Sequence, residues 1–239
     1  MWRLGAAVDP PLGHYRVVGP AGNFFLKVLD EGESEHQLRS DMLARRTRDR
    51  AAPALAAEHW RETPGGFLVG IYRYIDGRYG RTNADDGAQL GRALASLHKA
   101  LRGHPDAEDV RNASTERILM LERRRQDLLK GGGRVGSNGE ELRALVMRQR
   151  ILLDSTDRDQ IVHGDLNLGN VLFDSNTGEP TIIDFETAMV SWLPPAADVA
   201  MAVQRLALVA QVDIRQMVEC GRTLLKSYSD ESGYCIFHN

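Results

Sequence analysis

The chain has 239 residues, 42% of them hydrophobic and 26% charged, with a formal charge of -3, which gives one large or two small domains enough apolar material for a core. A general nucleic-acid binder needs a basic excess, so that class is disfavoured, and no apolar run approaches the roughly 20 residues of a membrane helix. Cys220 and Cys235 are too few for a disulfide framework or a cysteine zinc site, and Met1 opens no charged-then-apolar leader, so a cytoplasmic protein is expected.

The first seventy-odd residues read as β-rich. Residues 15–19 and 23–29 are predicted strands joined by the Pro20-Ala21-Gly22 turn, a hairpin. Ser34 with Gln37 three residues on matches a capping box, and Leu38, Met42 and Leu43 supply the helical stripe behind it. Residues 67–72 form another strand, and Asp76-Gly77 is a turn that marks the boundary between lobes 1–76 and 77–239. Asn83 then caps a helix with Asp85 and Asp86 in its first turn and Leu90, Leu94, Leu97, His98 and Leu101 at helical spacing. Ile118, Leu121, Leu128 and Leu129 make a second helical stripe. The glycine-rich segment 131–139 lacks the Lys-Ser or Lys-Thr of a P-loop and reads as a linker. A third helix carries Leu142, Leu145, Val146 and Leu152. Residues 170–173 and 181–184 are strands of a hairpin around the turn 174–178, and the chain is helical again from Pro195 to about Tyr228. The pattern is α+β: a small β-rich lobe, then a larger helical lobe with one inserted hairpin.

Chemistry concentrates in residues 161–173 and 182–186. Asp165 and Asn170 share one tight polar loop, Asp184 ends the next strand, and a hairpin brings strand ends together. Two carboxylates and an amide oxygen then converge, a set that suits hard Mg²⁺ and leaves Asp165 free to take a proton from a hydroxyl nucleophile. The plain alternative is that all three are turn residues, since Asp and Asn favour loops. Lysine occurs only at Lys27, Lys99, Lys130 and Lys226, so Lys27 inside an apolar strand stands out. Its alternative is an edge-strand lysine facing solvent.

The run His163-Gly164-Asp165, four residues, Asn170, then Ile183-Asp184-Phe185-Glu186 resembles the aminoglycoside phosphotransferase and choline kinase family, small-molecule kinases with a protein-kinase-like two-lobed fold. Residues 90–98 and Asp198-Val199-Ala200 extend the resemblance over most of the chain. It implies that Asp165 is the catalytic base, that Asn170 and Asp184 hold Mg²⁺ on the nucleotide phosphates, and that Lys27 pairs with the α- and β-phosphates of ATP. A lysine in that place needs a carboxylate partner. Glu35, on the stripe with Leu38 and Met42, is the expected one, with Asp41 the fallback and a dipole-stabilised first-turn carboxylate the alternative. Adenine is expected against Arg73, Tyr74 and Ile75, bonding to main chain. The segment 9–14 before the first strand has one glycine and supports no individual phosphate contact. His163 and Asp198 are expected to support the loop, and His98 to be a satisfied core residue.

Protein kinases place a lysine two residues after the base, where this chain has Asn167. Glu186 replaces the glycine after Asp-Phe, and no Ala-Pro-Glu follows, so a small-molecule hydroxyl is favoured over a peptide. The implied activity is ATP-dependent phosphorylation of an aminoglycoside-, sugar- or amino-alcohol-like acceptor, with no nucleic-acid or membrane partner. The choice between ATP and GTP stays open, as does the oligomeric state. Downstream of Asp198 the acids are Asp213, Glu219, Asp230 and Glu231, few for a polycation, and Trp192 and Tyr228 are the candidates for an aromatic cage. The chain stops soon after its last helix, so an abbreviated acceptor site, or one completed by a partner subunit, is expected. The rival reading is a nucleotide-binding regulatory module without turnover.

Overall fold

A computed structural model describes residues 13–20, 22–29, 31–50, 52–129, 159–208 and 213–233. Strands β1 (Gly13–Gly19) and β2 (Gly22–Leu29) form the expected hairpin, with Gly19 opposite Gly22. Strands β3 (His59–Glu62) and β4 (Leu68–Arg73) complete an antiparallel sheet of order β1-β2-β4-β3. The sequence reading missed β3. It is an edge strand, largely exposed, with no apolar alternation to mark it.

Helix α1 (Glu31–Asp49) starts four residues earlier than a Ser34 cap implies, so Ser34 lies inside it and is not its cap. The buried side chains are Gln37, Ser40, Asp41, Leu43, Ala44 and Thr47, whereas Met42 is 51% exposed. Positions 37, 40, 41, 44 and 47 follow the three-and-four spacing of one helix face, and 42 falls off it. Three of the polar groups on this face have side-chain partners: Gln37 meets Lys27, Thr47 Oγ1 donates to Leu43 O at 2.7 Å, and Tyr72 OH donates to Asp41.

Asp41 is buried there, and burial pushes its carboxyl up from 3.8 to about 6. The folded protein thus holds this proton more tightly than the unfolded chain does. That contribution is complete below about pH 3.8 and is lost as pH rises through 6. Asp41→Asn, which keeps an acceptor for Tyr72, should match the native chain in urea melts at pH 4. It should exceed native stability at pH 7.5 by up to about 3 kcal/mol. Equal stability at both pH values would remove Asp41 from the account.

The larger lobe begins where β5 (Gly77–Tyr79) joins β7 (Val171–Asp174) and β8 (Pro180–Ile182) in a sheet of order β5-β7-β8, while β6 (Gln160–Ile161) pairs with β9 (Trp192–Leu193). Helix α2 (Ala84–Leu101) is capped as expected, Asp86 N donating to Asn83 Oδ1 at 2.9 Å. Its residues Leu90, Leu94, Leu97, His98 and Leu101 are all buried. Helices α3 (Ala107–Leu129), α4 (Ala196–Leu208) and α5 (Ile214–Ser232) follow. Helices α2 and α5 pack backbone to backbone: a Cβ at Gly87 or Gly91 would run into the carbonyl of Cys220 or Leu224. On α3, Leu121 is 41% exposed and so is not part of a buried stripe. The predicted linker at 131–139 and the helix around 142–152 lie outside the described residues. Among the described residues, no helix is long and apolar enough to cross a membrane.

Candidate active site

Strand β6 delivers the chain into His163-Gly164-Asp165, and three buried groups fix its path. Asp198, fully buried on α4, accepts from the main-chain N–H of His163 at 2.7 Å and of Gly164 at 2.8 Å. His98 Nε2 lies 3.0 Å from the same carboxylate, and His98 Nδ1 lies 2.8 Å from Tyr228 OH. Burial pushes the Asp198 carboxyl up. The hydrogen bond from His98, the electrostatic attraction of the neighbouring His98 and His163 rings and the Gly164 N–H outweigh that and hold it below its ordinary value. Gly164 has φ 80, and a Cβ there would strike Ser191 and Thr187, so the loop requires glycine.

His163 joins the loop to the hairpin. Its ring is buried against Phe185, with centroids 5.1 Å apart, and Nε2 donates to Ile183 O at 2.9 Å. A carbonyl only accepts, so the proton sits on Nε2 and Nδ1 is left to face Asp165 N at 3.4 Å. The ring therefore supports the loop and has no free nitrogen for proton transfer.

The Asp165 carbonyl accepts from Asn167 Nδ2 at 3.0 Å and from Asn170 Nδ2 at 2.9 Å. Asn167 Oδ1 accepts from Gly169 N at 2.8 Å, capping the short 3₁₀ turn Leu168–Asn170. Its side chain is thus spent on the loop. With Nδ2 so engaged, Asn170 Oδ1 is the amide atom left to accept, and it has no partner among the described residues. Ile183 N donates to Asn170 O at 3.0 Å, which sets Asp184 beside this turn. Asp184 is exposed and has φ 66, a left-handed conformation that Asp tolerates better than most residues at a cost of about 1–3 kcal/mol. Asp165, Asn170 and Asp184 therefore occupy adjoining segments.

Lys27, on β2 between His14 and Gly70, reaches the same region from the small lobe. Its Nζ donates to Gln37 Oε1 at 2.6 Å and forms an ion pair with Glu186, two residues beyond Asp184. Glu35 is not its partner. Two residues are about 200° of helix, so Glu35 lies nearly opposite Gln37 and is exposed. Asp41 is not the partner either, being bound to Tyr72. Sequence reasoning missed Gln37 and Glu186. Gln37 shares the i, i+4 face of Asp41, and Glu186 follows the Asp-Phe pair directly.

A third missed residue is Arg205, whose Nη2 lies 3.2 Å from Asp165 Oδ1. Its spacing of seven from Asp198 puts both on one face of α4, the face that meets the loop. Of the segment expected to meet adenine, Tyr74 donates its N–H to Asn23 O at 3.3 Å and lies under the Arg16 guanidinium, 4.3 Å from the ring centroid. Arg73 and Ile75 line a cavity of about 330 Å³ together with Pro53, Asp174 and Thr177. Lys27, Asp165, Asn170 and Asp184 do not line it.

Solved structures with the same two-lobed, kinase-like fold define the class. An aminoglycoside-3'-phosphotransferase of type VIII superposes with a TM-score of 0.61 at 20% identity, covering 99% of this chain and 88% of that one. The aminoglycoside phosphotransferase APH(3'')-Id from Streptomyces rimosus, in complex with ADP and streptomycin, gives 0.57 at 15% identity over 94% and 90% of the two chains. The GDP complex of aminoglycoside 2'-phosphotransferase-IIIa gives 0.53 at 16% identity over 95% and 83%. The chain itself belongs to the phosphotransferase enzyme family, which matches it over residues 13–230. No curated protein matches the sequence.

Proposed function

We propose that the protein transfers the γ-phosphoryl group of ATP to a hydroxyl of a small molecule. One observation supports this most: the Asp165 carbonyl is tied down by Asn167 and Asn170, yet its carboxylate stays partly open to solvent. A carboxylate on a rigid loop with an open face is placed to accept a proton. In the reaction, the acceptor oxygen forms a bond to γ-phosphorus, the bond from γ-phosphorus to the β-bridging oxygen breaks, and ADP leaves. The hydroxyl proton goes to the Asp165 carboxylate. Lys27, oriented by Gln37 and Glu186, presents its ammonium to the α- and β-phosphates.

The donor set fits magnesium. Asn170 Oδ1 is left as a free acceptor, Asp184 is an exposed carboxylate, and Mg²⁺ takes few protein oxygens, keeping waters and substrate phosphates. Among the described residues no group of three His, Cys, Asp or Glu could hold a metal, which is consistent with so sparse a set. When bound, the ion would offset charge on the β- and γ-phosphates. A peptide acceptor is disfavoured because Asn167, at the position of the protein-kinase lysine, is engaged within the loop.

Two measurements test this reading. Mg²⁺-ATP at about 100 times its Kd should stabilise the native chain by about 2.7 kcal/mol in thermal melts, and Asp184→Ala should lose the magnesium-dependent part. With Mg²⁺-ATP present, a panel of sugars, amino alcohols and aminoglycosides should contain members that stimulate ADP release. Tight nucleotide binding without stimulation by any acceptor would make the chain a regulatory module.

A further inference from the structure

The carboxylate proposed as the base does not face the cleft alone. Arg205 Nη2 stands 3.2 Å from Asp165 Oδ1, with half of the Arg205 side chain and 38% of the Asp165 side chain exposed. So exposed a pair adds little to the stability of the fold and opens easily. The guanidinium nevertheless stands against Asp165 Oδ1, one of the two carboxylate oxygens that an acceptor hydroxyl can approach. Nothing on α4 offsets its charge. The one carboxylate among the described side chains of that helix is Asp198, which is buried and engaged with the His163 and Gly164 N–H groups. Of the groups on the adjoining segments, Glu186 is paired with Lys27, Asn167 is engaged within the loop, and the exposed Asp184 is the carboxylate assigned above to magnesium.

An incoming acceptor therefore meets a planar fork of N–H donors and a positive charge beside the base. Building on the phosphotransferase reading above, the geometry points to an acceptor that is a hydroxy acid, with a carboxylate close to the hydroxyl that is phosphorylated. Its carboxylate draws the Arg205 fork away from Asp165 in a two-point contact, the geometry guanidinium groups favour. That exchange frees the Asp165 oxygen for the hydroxyl proton and fixes the acceptor with one interaction. A polycationic aminoglycoside would instead set ammonium groups against the guanidinium. Arg205 is thus a specificity-determining residue.

Gluconate, glucitol and glucamine carry one polyhydroxy chain with charges of -1, 0 and +1. Glycerate, glycerol and 3-aminopropane-1,2-diol do the same on three carbons. Both series, with kanamycin added, are scored for acceptor-stimulated ADP release under saturating Mg²⁺-ATP. In the native chain kcat/KM should fall from acid to polyol to amine. Arg205→Ala should shrink the acid-to-polyol ratio by about tenfold to a hundredfold, the range for losing a charge-assisted hydrogen bond. Arg205→Glu should turn the preference toward the amine. Ratios within one variant are insensitive to a general loss of folded protein.

Preference for the amines or kanamycin in the native chain would overturn the inference and leave the phosphotransferase reading standing. An equal fall for all acceptors in Arg205→Ala, with a raised KM for ATP, would make Arg205 a nucleotide contact and overturn it as well. Absence of stimulated release from every compound would remove both readings together.

Discussion

Asp165→Asn should bind Mg²⁺-ATP as the native chain does and lose phosphoryl transfer by about 10²–10⁴-fold, the usual size of a general-base contribution. The amide keeps the size and planarity of the carboxylate but cannot take the acceptor proton. The loop should survive the change, because Asn167 and Asn170 are bonded to the main-chain carbonyl of residue 165 and not to its side chain. Nucleotide affinity from thermal shifts, set beside kcat from ADP release, separates the two effects. Retained turnover would end the assignment of Asp165 as base. Equal losses in affinity and turnover would point to a collapsed loop.

Asp198→Ala should have the largest effect on the fold. It would leave the N–H groups of His163 and Gly164 and one nitrogen of His98 buried without an acceptor. Removing one partner from such a buried charged cluster costs about 3–5 kcal/mol. In a chain of this size that is a fall of roughly 10–15 °C in Tm. Transfer should fall with it, because His163 and Gly164 set the approach to Asp165. Asp198→Asn should be milder in melting, since one acceptor oxygen remains, but still short of the native chain. The native protein should also lose this contribution on acidification. The folded Asp198 carboxyl is held below its ordinary value, so its stabilisation is present above the unfolded pKa and fades as pH falls through the folded one. Native-like melting of Asp198→Ala would show that the loop holds itself without α4.

The parts legible in the sequence were those decided by short-range geometry. Asp165, Asn170 and Asp184 sit within one turn and one hairpin, so their adjacency follows from local rules of turns and strand pairing. The Asn83 cap is local in the same sense. The partner of Lys27 was not legible. It depended on which face of α1 meets the sheet: Leu38 and Met42 pointed to the face of Glu35, whereas Met42 is exposed and the buried face runs through Gln37 and Asp41. Glu186 meets Lys27 across 159 residues of chain and Arg205 meets Asp165 across 40. Such encounters are set by how the lobes and α4 pack, which no local periodicity encodes. Strand β3 escaped because a four-residue edge strand with Trp60 as its one apolar side chain shows neither alternation nor an apolar run.

The two lobes are joined at more than one place. Besides residues 74–76, the stretch 52–57 after α1 also crosses between them. Ile182 N donates to Pro53 O at 2.6 Å and Leu55 N donates to Ile182 O at 2.9 Å, while Glu58 N donates to Ile71 O at 2.7 Å in the small sheet. With the chain anchored at both lines, the small sheet has a fulcrum and not a free joint. Ile182 is part of that fulcrum and stands two residues from Asp184. A tilt of the small lobe about that fulcrum would displace Asp184 less than Lys27, which sits on β2 away from it.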